Sequence, residues 1–398
     1  MISFRYVSPL DLPRLDLDAA LDGKASGVYV EPPGTERTFI RRRPLFHDDP
    51  DGAGLFADLP DVPVVYPPAF VASARDCSLV GYRTILTDDG RFFNDDDDTG
   101  KDLERYFSNL RQPIPFLNEG TGLRPLGETA DFVLERAGRP QRHLDGSTLV
   151  LASHEPISYG SWLFRVLPKL AALKQRGIGK RKILVHAHAV LREYLSLCGV
   201  AAEHIIAQDV QDDNICRADT IYRMDHAIVP CQRNRHALLD HESCDFYDEL
   251  RARCGVPQAG RRLYISRLGY ARRGGANRVM SNESELVDRL VRLNFDIVEP
   301  ETLSPRQQIE TFSAAEMIVG PASSAMFNTV FCHPGTKLID IESERHWAHA
   351  HLCLFSSLQL RFGIFEGKVD AGDPAPVHRR WSANVEALVD RIAAFAAA

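Results

Sequence analysis

The chain has 398 residues, of which 44% are hydrophobic and 25% charged, and its formal net charge is −7. Such a composition builds real cores, and the acidic balance excludes a nucleic-acid backbone as main partner, since phosphates call for a basic face. At ~150 residues per domain the length predicts two domains. The first residues lack a basic stretch followed by an apolar one, so no leader peptide is expected, and no run nears the ~20 apolar residues of a bilayer span. The eight cysteines form no CxxC pair, which predicts reduced thiols in a cytoplasmic protein.

Residues 1–145 are rich in Pro, Gly and Asp with short alternating runs, and predict an irregular, β-containing N-terminal region. Within it, SLVGYRTILTDDGRFF is expected as a hairpin turning at Asp89–Gly90. The run NDDDD at 94–98 lacks the glycine and distal glutamate of a calcium loop and is expected as a solvated acidic turn. From 146 the rhythm changes. STLVLAS reads as a buried strand. SWLFRVLPKLAALKQRG puts Trp162, Leu163, Val166, Leu167 and Leu170 on one helical face, kinked at Pro168. RKILVHA is a second strand, AVLREYLSLCGV a helix stopped by Gly199, and EHIIAQD and DTIYRMDHAIVP are further strands. The alternation predicts a parallel α/β domain over 146–235, then a linking helix over 236–258.

It restarts over 259–398. RRLYISR is a strand, and a Gly- and Arg-rich loop leads to a helix near Asn282, with a capping box to Glu285. FDIVEP is a strand. Ser304, Pro305 and Gln307 open the next helix. MIVG is a strand, SSAMFNTVFC a helix and KLIDIE a strand. Between MIVG and its helix the chain turns through Gly320, Ser323 and Ser324, thinly clothed and at a strand's carboxyl end, where unpaired amides and the helix dipole receive anions. The loop SRLGYARRGGANR supplies Arg267, Arg272, Arg273 and Arg278 beside it, in a number and geometry that suit a diphosphate. Glu342, ending KLIDIE, is placed to accept ribose hydroxyls, and Asn328 to brace the turn. In ERHWAHAHLC, His346, His349 and Cys353 share a helical face but lack a fourth ligand, so no metal is expected.

RRLYISRLGYARRGGANRVMSNESEL, then FDIVEPETLSPRQQIETFSAAEMIVGPASSAMFNTVFCHPGTKLIDIE, resembles glycosyltransferase family 61 (DUF563), well over 260–345 and loosely over 147–230. The resemblance implies a GT-B-like architecture, two Rossmann-like α/β domains facing a cleft. It implies an inverting transfer from a nucleotide sugar, a UDP-sugar first, to a surface polysaccharide or lipid-linked glycan. No further cofactor is implied. The place implied is the cytoplasm, with peripheral association at the inner membrane face. In that chemistry Arg267, Arg272, Arg273, Gly320, Ser323, Ser324, Asn328 and Glu342 bind the donor. An inverting displacement also needs a base on the acceptor hydroxyl, and His154, then Glu155, at the end of STLVLAS rank ahead of His186, His188 and Asp209. The chain departs from the family in two places. Ala322-Ser323-Ser324-Ala325 stands where His-Gly-Ala-(Ala/Gly) is frequent, and Ser158, Ser161 and Arg165 stand where the family's helix opens with Asn, then His, with an acid farther on. These departures leave a non-catalytic nucleotide-sugar-binding scaffold as the alternative.

Overall fold

The structure, a computed structural model, describes residues 3–32, 38–56, 58–66, 68–97, 100–111, 122–126, 131–134, 138–173, 178, 181–187, 189–209, 218–234, 237–255, 260–275, 277–375 and 378–398. The chain forms two compact units. The first takes residues 1–37 and 66–233, the second 38–65 and 234–398.

The first unit is built on one mixed sheet. Its parallel part consists of β2 (Gln141–Val150), β3 (Lys182–Val185), β4 (Ile205–Ala207) and β5 (Ile221–Pro230), in spatial order β4-β3-β2-β5. The long strand β1 (Phe70–Val80) pairs antiparallel with β5, from Tyr222 opposite Leu79 to Pro230 opposite Val71. The stretch read as a separate N-terminal region over 1–145 is therefore continuous with the strands that follow it. The hairpin at Asp89–Gly90 is present, with Thr84–Leu86 antiparallel to Arg91–Phe93. The kinked helix is more irregular than its pattern suggests. Tyr159–Ser161 is one α turn, Trp162–Val166 a π segment and Leu167–Leu173 a 3-10 helix. Pro168 has no amide to donate to Phe164, and the ladder widens just before it, where the Leu167 amide reaches back to Trp162 O. Gly199 ends α1 (Ala189–Leu197) at φ 84°, as expected of its position.

The second unit holds a six-stranded, wholly parallel sheet. Its strands β6 (Arg261–Ile265), β7 (Phe295–Val298), β8 (Ala315–Pro321), β9 (Lys337–Glu342) and β10 (Arg361–Glu366) lie in the order β7-β6-β8-β9-β10. The sixth, His47–Asp48, comes from the 38–65 excursion and pairs with Ile364 and Phe365. Around the sheet pack α2 (His241–Cys254), α3 (Glu283–Arg292), α4 (Pro305–Ser313), α5 (Arg345–Ser357) and α6 (Val385–Ala397). Strand residues Tyr264, Val319, Ile339, Ile341 and Phe365 share a core with Leu286, Leu290, Leu388 and Ile392 of the helices. The capping box at Ser304 and Gln307 is formed. That at Asn282 is not. Its side chain bonds both backbone groups of Ala383 instead, at 2.7 and 3.2 Å.

Candidate functional site

Within the parallel runs β2–β5 of the first unit and β6–β10 of the second the strand order reverses once, and ligands of open parallel sheets bind outside the carboxyl ends at such a reversal. In the second unit it falls between β6 and β8. The turns concerned are Ser266–Arg267 and Pro321–Ser324, the two stretches singled out in the sequence.

Glu283, the first residue of α3, pins the first turn. Its Oε1 accepts hydrogen bonds from Ser266 Oγ (2.9 Å), the Arg267 amide (2.7 Å) and Tyr264 Oη (3.3 Å). Burial holds this carboxyl above its ordinary range in spite of them. The chain then winds through Leu268–Arg272 and brings the Tyr270 ring under the Arg267 guanidinium, 4.6 Å away. Arg267 Nη2 also donates to Asn277 O at 2.8 Å. Arg278 is more constrained still. Its φ is 53°, a region side-chain-bearing residues rarely enter. His378 O accepts from its amide (2.8 Å), and Trp381 Nε1 donates to its carbonyl (3.0 Å). Nη1 donates to Ala322 O at 3.0 Å, tying the arginine loop to the turn after β8. Burial, then the nearby Arg267, lower the Arg278 pKa to about 10, against the pull of Glu342 and Glu344.

Three donors in this neighbourhood have no hydrogen-bond acceptor among the described residues: Arg267 Nε, Ser323 Oγ and Arg379 Nε, the last with Glu344 Oε1 at ion-pair distance, 3.7 Å. They come from three separate segments. Arg379 is brought in by Glu344, whose carboxylate accepts the backbone amides of His378 (3.0 Å) and Arg379 (3.1 Å). Burial alone would raise the Glu344 pKa, but those amides and the adjacent charges hold it below the usual carboxylate range. Buried donors are nearly always satisfied, so such a group with basic residues around it is the signature of an anion site.

In the first unit the reversal falls between β2 and β5. His154 and Glu155 follow β2 there, both half-buried. Ser161 Oγ and Arg165 Nη1 both donate to Glu155 Oε2, and Arg165 also reaches Ser161 Oγ at 3.0 Å. Ser158 caps the same turn through the Ser161 amide. Beneath, Lys169 Nζ bridges Asp95 Oδ2 and Ala152 O, each at 2.5 Å, and Gln232 N donates to Asp95 O at 2.6 Å. Asp95 is 1% exposed, which corrects the expectation of a solvated acidic turn. Burial would raise its pKa, but Lys169 and Arg83 hold it low. The pair fastens the carboxyl ends of both strands.

Residues 159–339 match the family model described as Glycosyltransferase 61. The chain carries a glycosyltransferase family 61 domain. No curated protein matches it. The matched segment runs from the Ser161–Arg165 helix in the first unit through β8 to Ile339 in the second, and so includes Arg267, Arg278 and Ser323.

Within this glycosyltransferase the expected donor residues divide. Arg267 and Ser323 sit in the turn region. Ser324 begins the following helix, half-buried, and Asn328 Nδ2 donates to Ala325 O at 3.1 Å, a bracing role. Arg272 and Arg273 point outward and are exposed, and Arg273 is paired with Glu301, so neither is held at the turn. Gly320 is buried, and its missing side chain makes room for Ile265 and Met326, which a Cβ would meet at 2.9 and 3.1 Å. It is a packing glycine. The helix it was expected to precede is the 3-10 helix Ser324–Phe331 rather than an α-helix. Glu342 is wholly buried, with Asp340 and His351 as neighbours, and offers no surface to a ribose. Burial, then Asp340, raises its pKa, while the two carboxylates hold the His351 imidazole above its ordinary value against the effect of burial. Asp209 is engaged by Thr220 Oγ1 at 3.0 Å. His188 lies outside the described residues, as does the His346 side chain. His349 faces the Arg41 guanidinium at 3.2 Å, which opposes a cation between it and Cys353. Sequence reasoning ranked Arg278 below its neighbours and passed over Arg379. The only signal for the latter was the basic run HRR before Trp381.

Proposed function

We propose that the chain is an inverting glycosyltransferase of GT-B-like layout that takes its sugar from a nucleotide-sugar donor, a UDP-sugar first. The buried donors Arg267 Nε and Ser323 Oγ at the strand-order reversal of the second unit, without a hydrogen-bond acceptor among the described residues, carry this reading. Arg267, Arg278, Arg379 and Ser323 grip the diphosphate and stabilise the charge that develops on it as the glycosidic bond breaks. No residue needs to bond covalently to the sugar. His154 removes the proton of the acceptor hydroxyl as that oxygen attacks the anomeric carbon. Glu155, committed to Arg165 and Ser161, positions the turn rather than taking the proton. The acceptor class proposed is a surface polysaccharide or lipid-linked glycan, met in the cytoplasm at the inner face of a membrane. Among the described residues no helix is long and apolar enough to cross one.

Titration with UDP tests the grip. Arg278→Ala and Arg267→Ala should each weaken binding tenfold or more, since each removes a charge-assisted contact of about 1.5–3 kcal/mol. Unaltered UDP affinity in both variants defeats the assignment. Release of nucleoside diphosphate with an acceptor present, abolished in His154→Ala, tests turnover. The commitment of Glu155 to an ion pair favours one other reading, a nucleotide-sugar-binding scaffold. UDP binding with no release under any acceptor would establish it.

A further inference from the structure

We propose that Asp340, Glu342 and His351 form a binding site for one divalent transition cation, Zn2+ or Mn2+, in the core of the second unit. Asp340 and Glu342 stand two residues apart on β9 and so share a face of the strand. His351 reaches them from α5. The three side chains are each 1% exposed. Their ligand atoms all lie within 4.8 Å of one another.

The distances suit a metal in place of a proton. His351 Nδ1 is 2.8 Å from Asp340 Oδ2 and 3.6 Å from Glu342 Oε1. With bonds of about 2.1 Å, the ligands of a tetrahedral cation stand about 3.4 Å apart. Shifts of a few tenths of an ångström would bring the three residues onto the ion, and Glu342, with both oxygens lacking a hydrogen-bond partner among the described residues, can supply the fourth ligand atom by binding through both. One imidazole and two carboxylates are a donor set used by Zn2+ and Mn2+.

A second, independent feature is the lack of satisfaction. Both oxygens of Glu342, Asp340 Oδ1 and His351 Nε2 are buried with no hydrogen-bond partner among the described residues. Among the described residues no Lys or Arg hydrogen-bonds either carboxylate, and Arg278, whose charge is felt by Glu342, donates through Nη1 to Ala322 O. A divalent cation takes the place of the protons the cluster otherwise shares, one of them in the His351–Asp340 hydrogen bond, and with both carboxylates ionised and the imidazole neutral it cancels a formal charge of −2. Phe327 and Phe355 flank the imidazole at 5.3 and 5.5 Å and make the surroundings apolar, where uncancelled charge costs most. The cation's role is to hold β9 and α5 together, independent of sugar transfer.

The test is metal content of the full chain after chelation and reloading with Zn2+ or Mn2+, by mass spectrometry and calorimetric titration, alongside melting. About one cation per chain, a higher melting temperature on reloading, and at least a tenfold loss of affinity in both Glu342→Gln and His351→Gln are expected. His349→Ala should bind as the wild type does. Wild-type protein that takes up no stoichiometric cation overturns the proposal, whether or not the variants fold. So does uptake that survives both substitutions, or that His349→Ala removes. UDP binding is read separately on the same samples, so failure of the donor assignment leaves this result intact.

Discussion

His226 is a buried histidine whose protonation opposes folding. His226 sits between two hydroxyls, with Ser73 Oγ 2.9 Å from Nε2 and Ser147 Oγ 2.7 Å from Nδ1. Burial, then Arg181 and Arg75, push its pKa down to about 4 from an ordinary 6.5. The folded state therefore binds this proton less readily than the unfolded chain. The associated stability is complete above pH 6.5 and is lost as pH falls from there toward 4, by an amount on the order of 2 kcal/mol once solvent screening is allowed for. Urea midpoints at pH 7.5 and 4.5 should show that loss in the wild type, and a smaller one in His226→Gln. Equal losses would mean that other groups govern acid unfolding. At this scale the sequence was least readable. A run of aspartates reads as solvent-facing, and nothing near Asp95 announces Lys169, 74 positions on. Arg272 and Arg273 look equivalent to Arg267 and Arg278 in a sequence, yet only the latter pair is turned inward. That difference rests on a ring stack, a positive φ and a carbonyl 44 residues away.

Among elements, strands were legible wherever both faces are buried. RRLYI, MIVG and KLIDI are short, apolar and bounded by turns, which is how interior parallel strands must read. Two-residue pairings such as His47–Asp48 have no period to detect. The junction of β8 with its 3-10 helix shows how tightly these elements are set. Gly320→Ala would drive a methyl into Ile265 and Met326. Overpacking of that kind costs about 1–3 kcal/mol, read as a lower urea midpoint. If the cost is instead near zero, the strands have more play than the contact distances allow. A fall in UDP affinity beyond the stability change would mean that the position of β8 also sets the geometry of Ser323.

For the molecule as a whole, the two reversals of strand order make separate predictions. Nucleoside diphosphate should slow amide exchange at Arg267–Tyr270 and Ala322–Met326, and leave Ala152–Glu155 unchanged. Protection confined to Ala152–Glu155 would move the donor to the other unit. The alternation of strands and helices over 146–345 recovered the parallel part of the first sheet and four of the six strands of the second, because each βαβ step carries its own periodicity, while Arg361–Glu366 and His47–Asp48 lie outside it. The partition of the chain was not recoverable, since contact between Phe70–Val80 and Ile221–Pro230 is a matter of distant pairing.

The excursion through residues 38–65 has a consequence for how the protein is made. His47 meets Glu366 across the sheet edge, 319 positions later in the chain. A ribosome adding about 5–20 residues per second needs roughly 16–64 s to supply that partner. During this wait the early segment must stay unpaired beside a nascent first unit already competent to collapse. A shortened gene starting at codon 234 would never provide it, leaving the last parallel strand bare along one side.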